Sequence, residues 1–124
     1  RKRLKDRDYF AFVANDGDKI CGIVQGRFFG NSGFAQFNWI AVHPDYQHQG
    51  IGIGLLMRAE EHLRTRGVHK MSLYTFPALQ PAIKLFMKFG MQPEAHLRKQ
   101  WWGSDFLMMS RWTGEYRRRM RDSP

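Results

Sequence analysis

Three glycines in five residues, Gly50, Gly52 and Gly54, stand where a strand-like run gives way to a helix, and this junction constrains the 124-residue chain more than any other stretch. Upstream lie Trp39-Ile40-Ala41-Val42, then His43-Pro44-Asp45-Tyr46 and Gln47-His48-Gln49. Downstream, Ile53, Leu56, Met57 and Leu63 recur at helical spacing, with Arg58, Glu61, Arg64 and Arg66 between them. The spacing predicts an amphipathic helix from about Ile51 to Arg66, closed by Gly67. A glycine inside a helix costs about 1 kcal/mol relative to alanine, so three together are tolerated where backbone must come close to something. At a helix N-terminus the first N–H groups lack internal partners and carry partial positive charge. Gly50 and Gly52 would let a pyrophosphate settle onto them. A glycine-rich turn that only starts a helix is the plain alternative.

Other phosphate loops fit less well. A Walker loop needs Lys and then Ser or Thr after its last glycine, and Gly52 is followed by Ile53. The dinucleotide fingerprint needs two further residues before its third glycine, and it follows a parallel βαβ strand.

The flanking sequence predicts the fold class. Tyr9–Ala14 is an apolar run ending at Asn15-Asp16-Gly17-Asp18, a strong turn signal. Lys19–Phe28 and Phe34–Val42 follow as strands, divided by Gly30-Asn31-Ser32-Gly33. Connections this short allow only an antiparallel meander. After the first helix, Val68–Thr75 reads as a strand, and Pro81 starts a second helix ending at Phe89-Gly90. Met91–Lys99 and Phe106–Trp112 read as two final strands. The expectation is a mixed α/β (α+β) domain, a twisted, mostly antiparallel sheet flanked by helices. One domain is expected over residues 1–116, with a basic tail at 117–124.

Composition narrows the function. A 43% hydrophobic, 15% aromatic chain supports a packed core. No apolar run approaches the roughly 20 residues that span a bilayer, no signal-peptide pattern is visible, and the single Cys21 excludes an internal disulfide. A cytoplasmic protein without a metal or a membrane partner is the expectation. The net charge of +9 gathers at Arg1-Lys2-Arg3-Leu4-Lys5 and Arg117-Arg118-Arg119-Met120-Arg121. Solvated ends explain it most simply. Contact with nucleic acid is the weaker alternative, and cofactor phosphates are another source of attraction.

Gln47-x-x-Gly50-x-Gly52 after Val42-His43-Pro44 resembles the acetyl-CoA loop of the GNAT acetyltransferase superfamily. Ala82-Ile83-Lys84-Leu85-Phe86 with Phe89-Gly90-Met91 is similar to that family's second conserved helix. Arg98-Lys99 through Trp101-Trp102 to Asp105-Phe106-Leu107-Met108 is similar to its last hairpin. The resemblance runs from about Tyr9 to Trp112. It implies an acetyl-CoA-dependent transfer to the amine of a small molecule or protein by direct attack in a ternary complex. The backbone N–H groups of Gln47, His48, Gln49, Gly50, Ile51 and Gly52, with Gly54 nearby, would hold the pyrophosphate. Ile40, Ala41 and Val42 would pair with pantetheine along a strand that bulges and splays from its neighbour.

The chain departs from the family at the acid. Phe86 stands where a tyrosine often protonates the leaving thiolate, and would only line the cofactor. Leu79 stands in place of a frequent asparagine. Tyr74 and Tyr46 are the remaining phenols. For the base, the strand before the loop offers only Gln36 and Asn38, so His43, His48, His69, Asp45, Asp105 or a water are candidates. Trp101, Trp102 and Phe106 would line an acceptor pocket or simply pack. The family's opening strand and two helices, which form one wall of the acceptor site, have no counterpart here. Either a second copy in a homodimer supplies the wall, or the sequence is a fragment. A CoA-binding module without catalysis is the alternative reading.

Overall fold

The Asn15–Asp18 turn behaves as its composition predicts: Gly17 takes a φ of 65° and the chain reverses. In a computed structural model, which describes residues 8–114, the strands β1 (Tyr9–Asp16), β2 (Lys19–Phe28) and β3 (Phe34–Val42) form the expected meander. Then come α1 (Ile51–Thr65), β4 (Lys70–Thr75), α2 (Gln80–Phe89), β5 (Gln92–Trp101) and β6 (Ser104–Trp112). The expected tail at 117–124 and the basic start of the chain lie outside the described residues.

The sheet runs β1-β2-β3-β4-β6-β5, and β3–β4 is its parallel pair. A parallel pair needs a crossover, and α1 provides it. β4 starts at Lys70 rather than Val68, because the end of α1 uses the preceding backbone. Gly67, at φ 78°, donates its N–H to the Arg64 carbonyl, and the Val68 N–H donates to Leu63. These two bonds are a Schellman end. β6 starts at Ser104 rather than Phe106, because the turn before it needs only Trp102 and Gly103, both at positive φ.

Both helices lie on one face of the sheet. Their buried residues, Leu55, Leu56, Ala59 and Leu63 from α1 and Ile83, Phe86 and Phe89 from α2, share one core with Phe10, Val24, Phe37, Met71, Leu73 and Met109. Paired strand residues share a face. Tyr9, Ala11, Gln25, Arg27, Ser72, Tyr74, Phe106 and Ser110 therefore lie on the opposite face, which carries no helix among the described residues.

Two glycines let the layers approach. A Cβ on Gly22 would stand 3.0 Å from Leu55 Cδ1 and 3.2 Å from Ile51 Cγ2, so its absence seats the start of α1 on β2. A Cβ on Gly26 would collide with the Gln36 carbonyl oxygen and lie 2.8 Å from Phe10 Cζ. Gly26 sits where β3 bulges: Gln25 pairs with Trp39 and Gly26 with Phe37, leaving Asn38 as the extra residue. Backbone cannot yield as a side-chain tip can. Gly26→Ala is therefore expected to destabilise the fold by about 2–3 kcal/mol, read as a lower urea midpoint at unchanged m-value.

Candidate active site

The bulge opens a cleft. β3 and β4 pair only over Phe34–Gln36 and Lys70–Ser72, and beyond that the strands part. The β3 edge from Phe37 to Val42 then faces Leu73–Thr75 with no ladder between them. Ile40 and Val42 are half-buried on this edge, and Ala41 is exposed. Backbone groups left this way need partners from water or from an extended ligand.

The loop after β3 is held by its own side chains. A 3₁₀ turn over Pro44–Tyr46 is capped by His43, whose Nδ1 accepts the Asp45 N–H at 3.1 Å. Gln47 Nε2 donates to the Val42 carbonyl at 3.1 Å, and Gln49 Nε2 reaches the Asp45 carbonyl at 3.4 Å. The family-type glutamine thus ties the loop to the strand through its side chain. Tyr46 donates its hydroxyl to Asp16 Oδ2 at 2.9 Å, fastening the loop to the β1–β2 turn, while Lys19 lies 5.5 Å from its ring centre. The Asp16 carboxylate accepting that proton pushes the Tyr46 phenol up to about 12, which makes Tyr46 a poor acid.

His48 at φ 64° and Gly50 at φ 83° turn the chain into α1. Gly50 is the N-cap and no side chain caps the helix. The first helical bond runs from the Gly54 N–H to the Gly50 carbonyl at 3.0 Å. The N–H groups of Ile51, Gly52 and Ile53 thus point out of the helix start without helical acceptors, at its positive end. A side-chain cap would have used these donors. Their bareness at the mouth of the cleft fits an anion held by backbone.

The three glycines serve different ends. Gly50 is required by its left-handed backbone. Gly52 is buried, and a Cβ there would meet Leu85 Cδ2 at 3.2 Å, so it admits α2 alongside α1. Gly54 has nothing within 4 Å of where its Cβ would be. Only Gly54 therefore lacks a packing or backbone reason.

The cleft brings some predicted residues together and separates others. Tyr74, on β4, stands on the bank opposite Ile40–Val42, and its ring meets Trp101 edge-on at 5.1 Å. Phe86 is buried in the core. Leu79 is the N-cap of α2 and makes no side-chain cap bond. With Nδ1 accepting from Asp45, neutral His43 carries its proton on Nε2, and neither nitrogen then offers a lone pair. Asp105 lies on the face away from Tyr74, where Oδ2 meets His96 Nε2 at 2.9 Å and Oδ1 accepts the Lys99 N–H at 3.0 Å. The hydrogen bond from His96, then that from Lys99, holds its carboxyl below the usual range.

One polar cluster was invisible in sequence. Ser72 and Ser110, both fully buried, bond at 2.7 Å, Ser110 donates to Glu94 Oε1, and Lys70 reaches Glu94 at 3.0 Å. Its members lie on three strands at no regular spacing, so only the cross-strand register reveals it. The Ser110 hydroxyl, then Lys70, lowers the Glu94 pKa. A depressed carboxylate contributes stability above its unfolded pKa and loses it as pH falls through the folded value.

The residues 1–91 match the family model described as the acetyltransferase (GNAT) family, and the chain belongs to that family. It is 37% identical over 73 residues to an acetyltransferase of Sodalis glossinidius, covering 59% of this chain and 49% of that one. A Pectobacterium atrosepticum acetyltransferase is 38% identical over 73 residues, covering 59% and 50%. The chain thus spans about half the length of these relatives. The crystal structure of the ribosomal-protein-S18-alanine N-acetyltransferase from Escherichia coli superposes with a TM-score of 0.77 at 25% identity, covering 87% of this chain and 71% of that one. The PaiA N-acetyltransferase of Thermoplasma acidophilum, solved with coenzyme A, gives 0.72 at 24%, covering 85% and 61%. No helix among the described residues is long and apolar enough to cross a membrane.

Two measurements check this geometry. Gly54→Ala should raise stability by about 0.5–1 kcal/mol, since helix propensity improves and no neighbour is displaced. Glu94→Gln should lower Tm at pH 7, and the gap from wild type should close as pH falls below about 4.5, the ordinary value for this carboxyl.

Proposed function

We propose that the protein is an N-acetyltransferase that moves an acetyl group from acetyl-CoA to a primary amine, by direct attack while both are bound. The observation that carries this reading is the uncapped start of α1, three bare N–H groups beside strands that part. Family membership and the N-acetyltransferase structures sharing the fold support it. In the proposal, the N–H groups around Gln49–Gly52 hold the pyrophosphate, while Gln47 and His48 shape the loop. The open edge of Ile40, Ala41 and Val42 takes the pantetheine amides as an added strand. When bound, acetyl-CoA supplies the activated acetyl group. In the same proposal, a strand N–H beside the bulge would stabilise charge developing on the carbonyl oxygen.

Tyr74 is the proposed proton donor, since it is the phenol on the cleft bank and Phe86 has no hydroxyl to give. A water is the proposed base, because His43 and Asp105 are engaged elsewhere. The protein is proposed to act in the cytoplasm, as a homodimer if a second copy completes the acceptor wall. The buried Phe86 favours one other reading, a CoA-binding module that does not turn over.

The test mixes the protein with acetyl-CoA and a panel of amines and follows free thiol. Amine-dependent thiol release is expected, with Tyr74→Phe lowering kcat by about 10²-fold at unchanged CoA affinity. A rise in Tm with CoA but no turnover with any amine would leave the non-catalytic reading standing.

A further inference from the structure

The helix-free face carries a second set of features that the cofactor side does not use. A depression of about 290 Å³ opens there, lined by Tyr9, Phe10, Ala11, Gln25, Gly26 and Asn38. It lies at the bulge, where Asn38 is the extra residue and β3 leaves β4. The polar side chains lining it are two neutral amides and a phenol. Across the cleft, Tyr74 stands edge-on to Trp101, Trp101 to Phe106 at 5.0 Å, and Phe76 and Trp102 also lean on Phe106. Trp102 is 89% exposed and sits at φ 54° in the tight β5–β6 turn. An indole held out in water on left-handed backbone is unfavourable twice over, by exposed apolar area and by backbone strain of about 1 kcal/mol or more.

Charge on this face points the same way. Among the described strand residues, register and contacts place one carboxylate here, Glu94, and it is occupied by Lys70 and Ser110. The cations are Lys70 and Arg27, whose guanidinium lies over Tyr9 at 5.1 Å and Phe29 at 4.6 Å. Asp16 and Asp105 are bound to Tyr46 and His96 on the helix side. Among the described strand residues of this face, a second ammonium on an acceptor would thus meet one carboxylate already paired with Lys70, and two cations. An aromatic or apolar group would meet rings at an edge suited to stacking.

We infer that the acceptor enters from the helix-free face and is a small monoamine bearing an aromatic or apolar group, gripped by Trp101 and Trp102, rather than a polyamine. This rests on the N-acetyltransferase reading and names its substrate class. The amine would pass between the Gln25–Asn38 amides and Tyr74 to reach the cleft.

The test compares 2-phenylethylamine, n-butylamine and spermidine as acceptors with saturating acetyl-CoA. The expected order is 2-phenylethylamine first, with kcat/KM at least about 10-fold above spermidine, a difference of about 1.4 kcal/mol. Trp102→Ala, at the most exposed large hydrophobic among the described residues, should raise KM for 2-phenylethylamine about 5-fold or more, with a smaller change in kcat. Trp101→Leu, which keeps an apolar side chain, should do likewise. Preference for spermidine, or an unchanged KM in both variants, overturns the inference. Binding is read apart from chemistry by tryptophan fluorescence, titrating 2-phenylethylamine against the protein with CoA. Saturable quenching that Trp102→Ala weakens supports the site even if no amine is turned over, in which case the catalytic reading alone fails. No saturable quenching, or tighter quenching by spermidine, sinks the site itself.

Discussion

The separation of β3 from β4 is the constraint on which the rest depends. Parallel strands normally stay paired, since each unpaired N–H or C=O forgoes a hydrogen bond. Here pairing stops after Gln36 and Ser72. The extra residue at Asn38 re-aims β3, and Gly26 gives the bulge room by leaving space beside the Gln36 carbonyl. The divergence is held open by contacts on the helix side. The start of α1 sits against β2 because Gly22 has no side chain, and α2 comes alongside α1 because Gly52 has none. Gln47 and Tyr46 then tie the connecting loop back to Val42 and Asp16.

That arrangement divides the molecule between its two faces. The helix side holds the apolar core, and Glu60, the one buried carboxylate among the described residues, accepts from Arg64 at 2.9 Å and from Arg111 at 3.2 Å, joining α1 to β6. The glycine-rich loop before α1 leaves from this side, where a helix start supplies positive potential without a charged side chain. The other face has amides, rings and the Ser72–Ser110–Glu94–Lys70 cluster. The cleft is where the two sides communicate. A ligand held by backbone on one side can meet a ligand held by side chains on the other.

Local signals were legible because they act within a few residues. Gly17, Gly67 and Gly90 end their elements at positive φ, as their positions in the pattern predict. The bounds of β2 and β3 follow from the turns on either side, and the apolar spacing of α2 becomes buried Ile83, Phe86 and Phe89. The end of α1 at Thr65 rather than Arg66 and the late start of β4 arise at a Schellman end, whose bonds depend on three-dimensional geometry. The splaying of β3 was expected from resemblance, not from spacing. Trp101 and Trp102, next to each other in the chain, have different fates: one packs into a ring cluster, the other stands in water.

By itself the sequence determined the order of elements, the place of the glycine-rich helix start and the absence of a strand carboxylate beside it. Those properties are local: they follow from turn residues, apolar periodicity and residue type. The tertiary structure alone decided which candidates share a site. It put Tyr74 on the cleft, Phe86 in the core, Asp105 on the far face with His96, and His43 under its own turn. It also gave Gly50 a backbone reason and Gly52 a packing reason, and left Gly54 with neither. Such outcomes turn on strand register, on a one-residue bulge and on which face a side chain leaves, and a residue's neighbours in the chain carry no record of these.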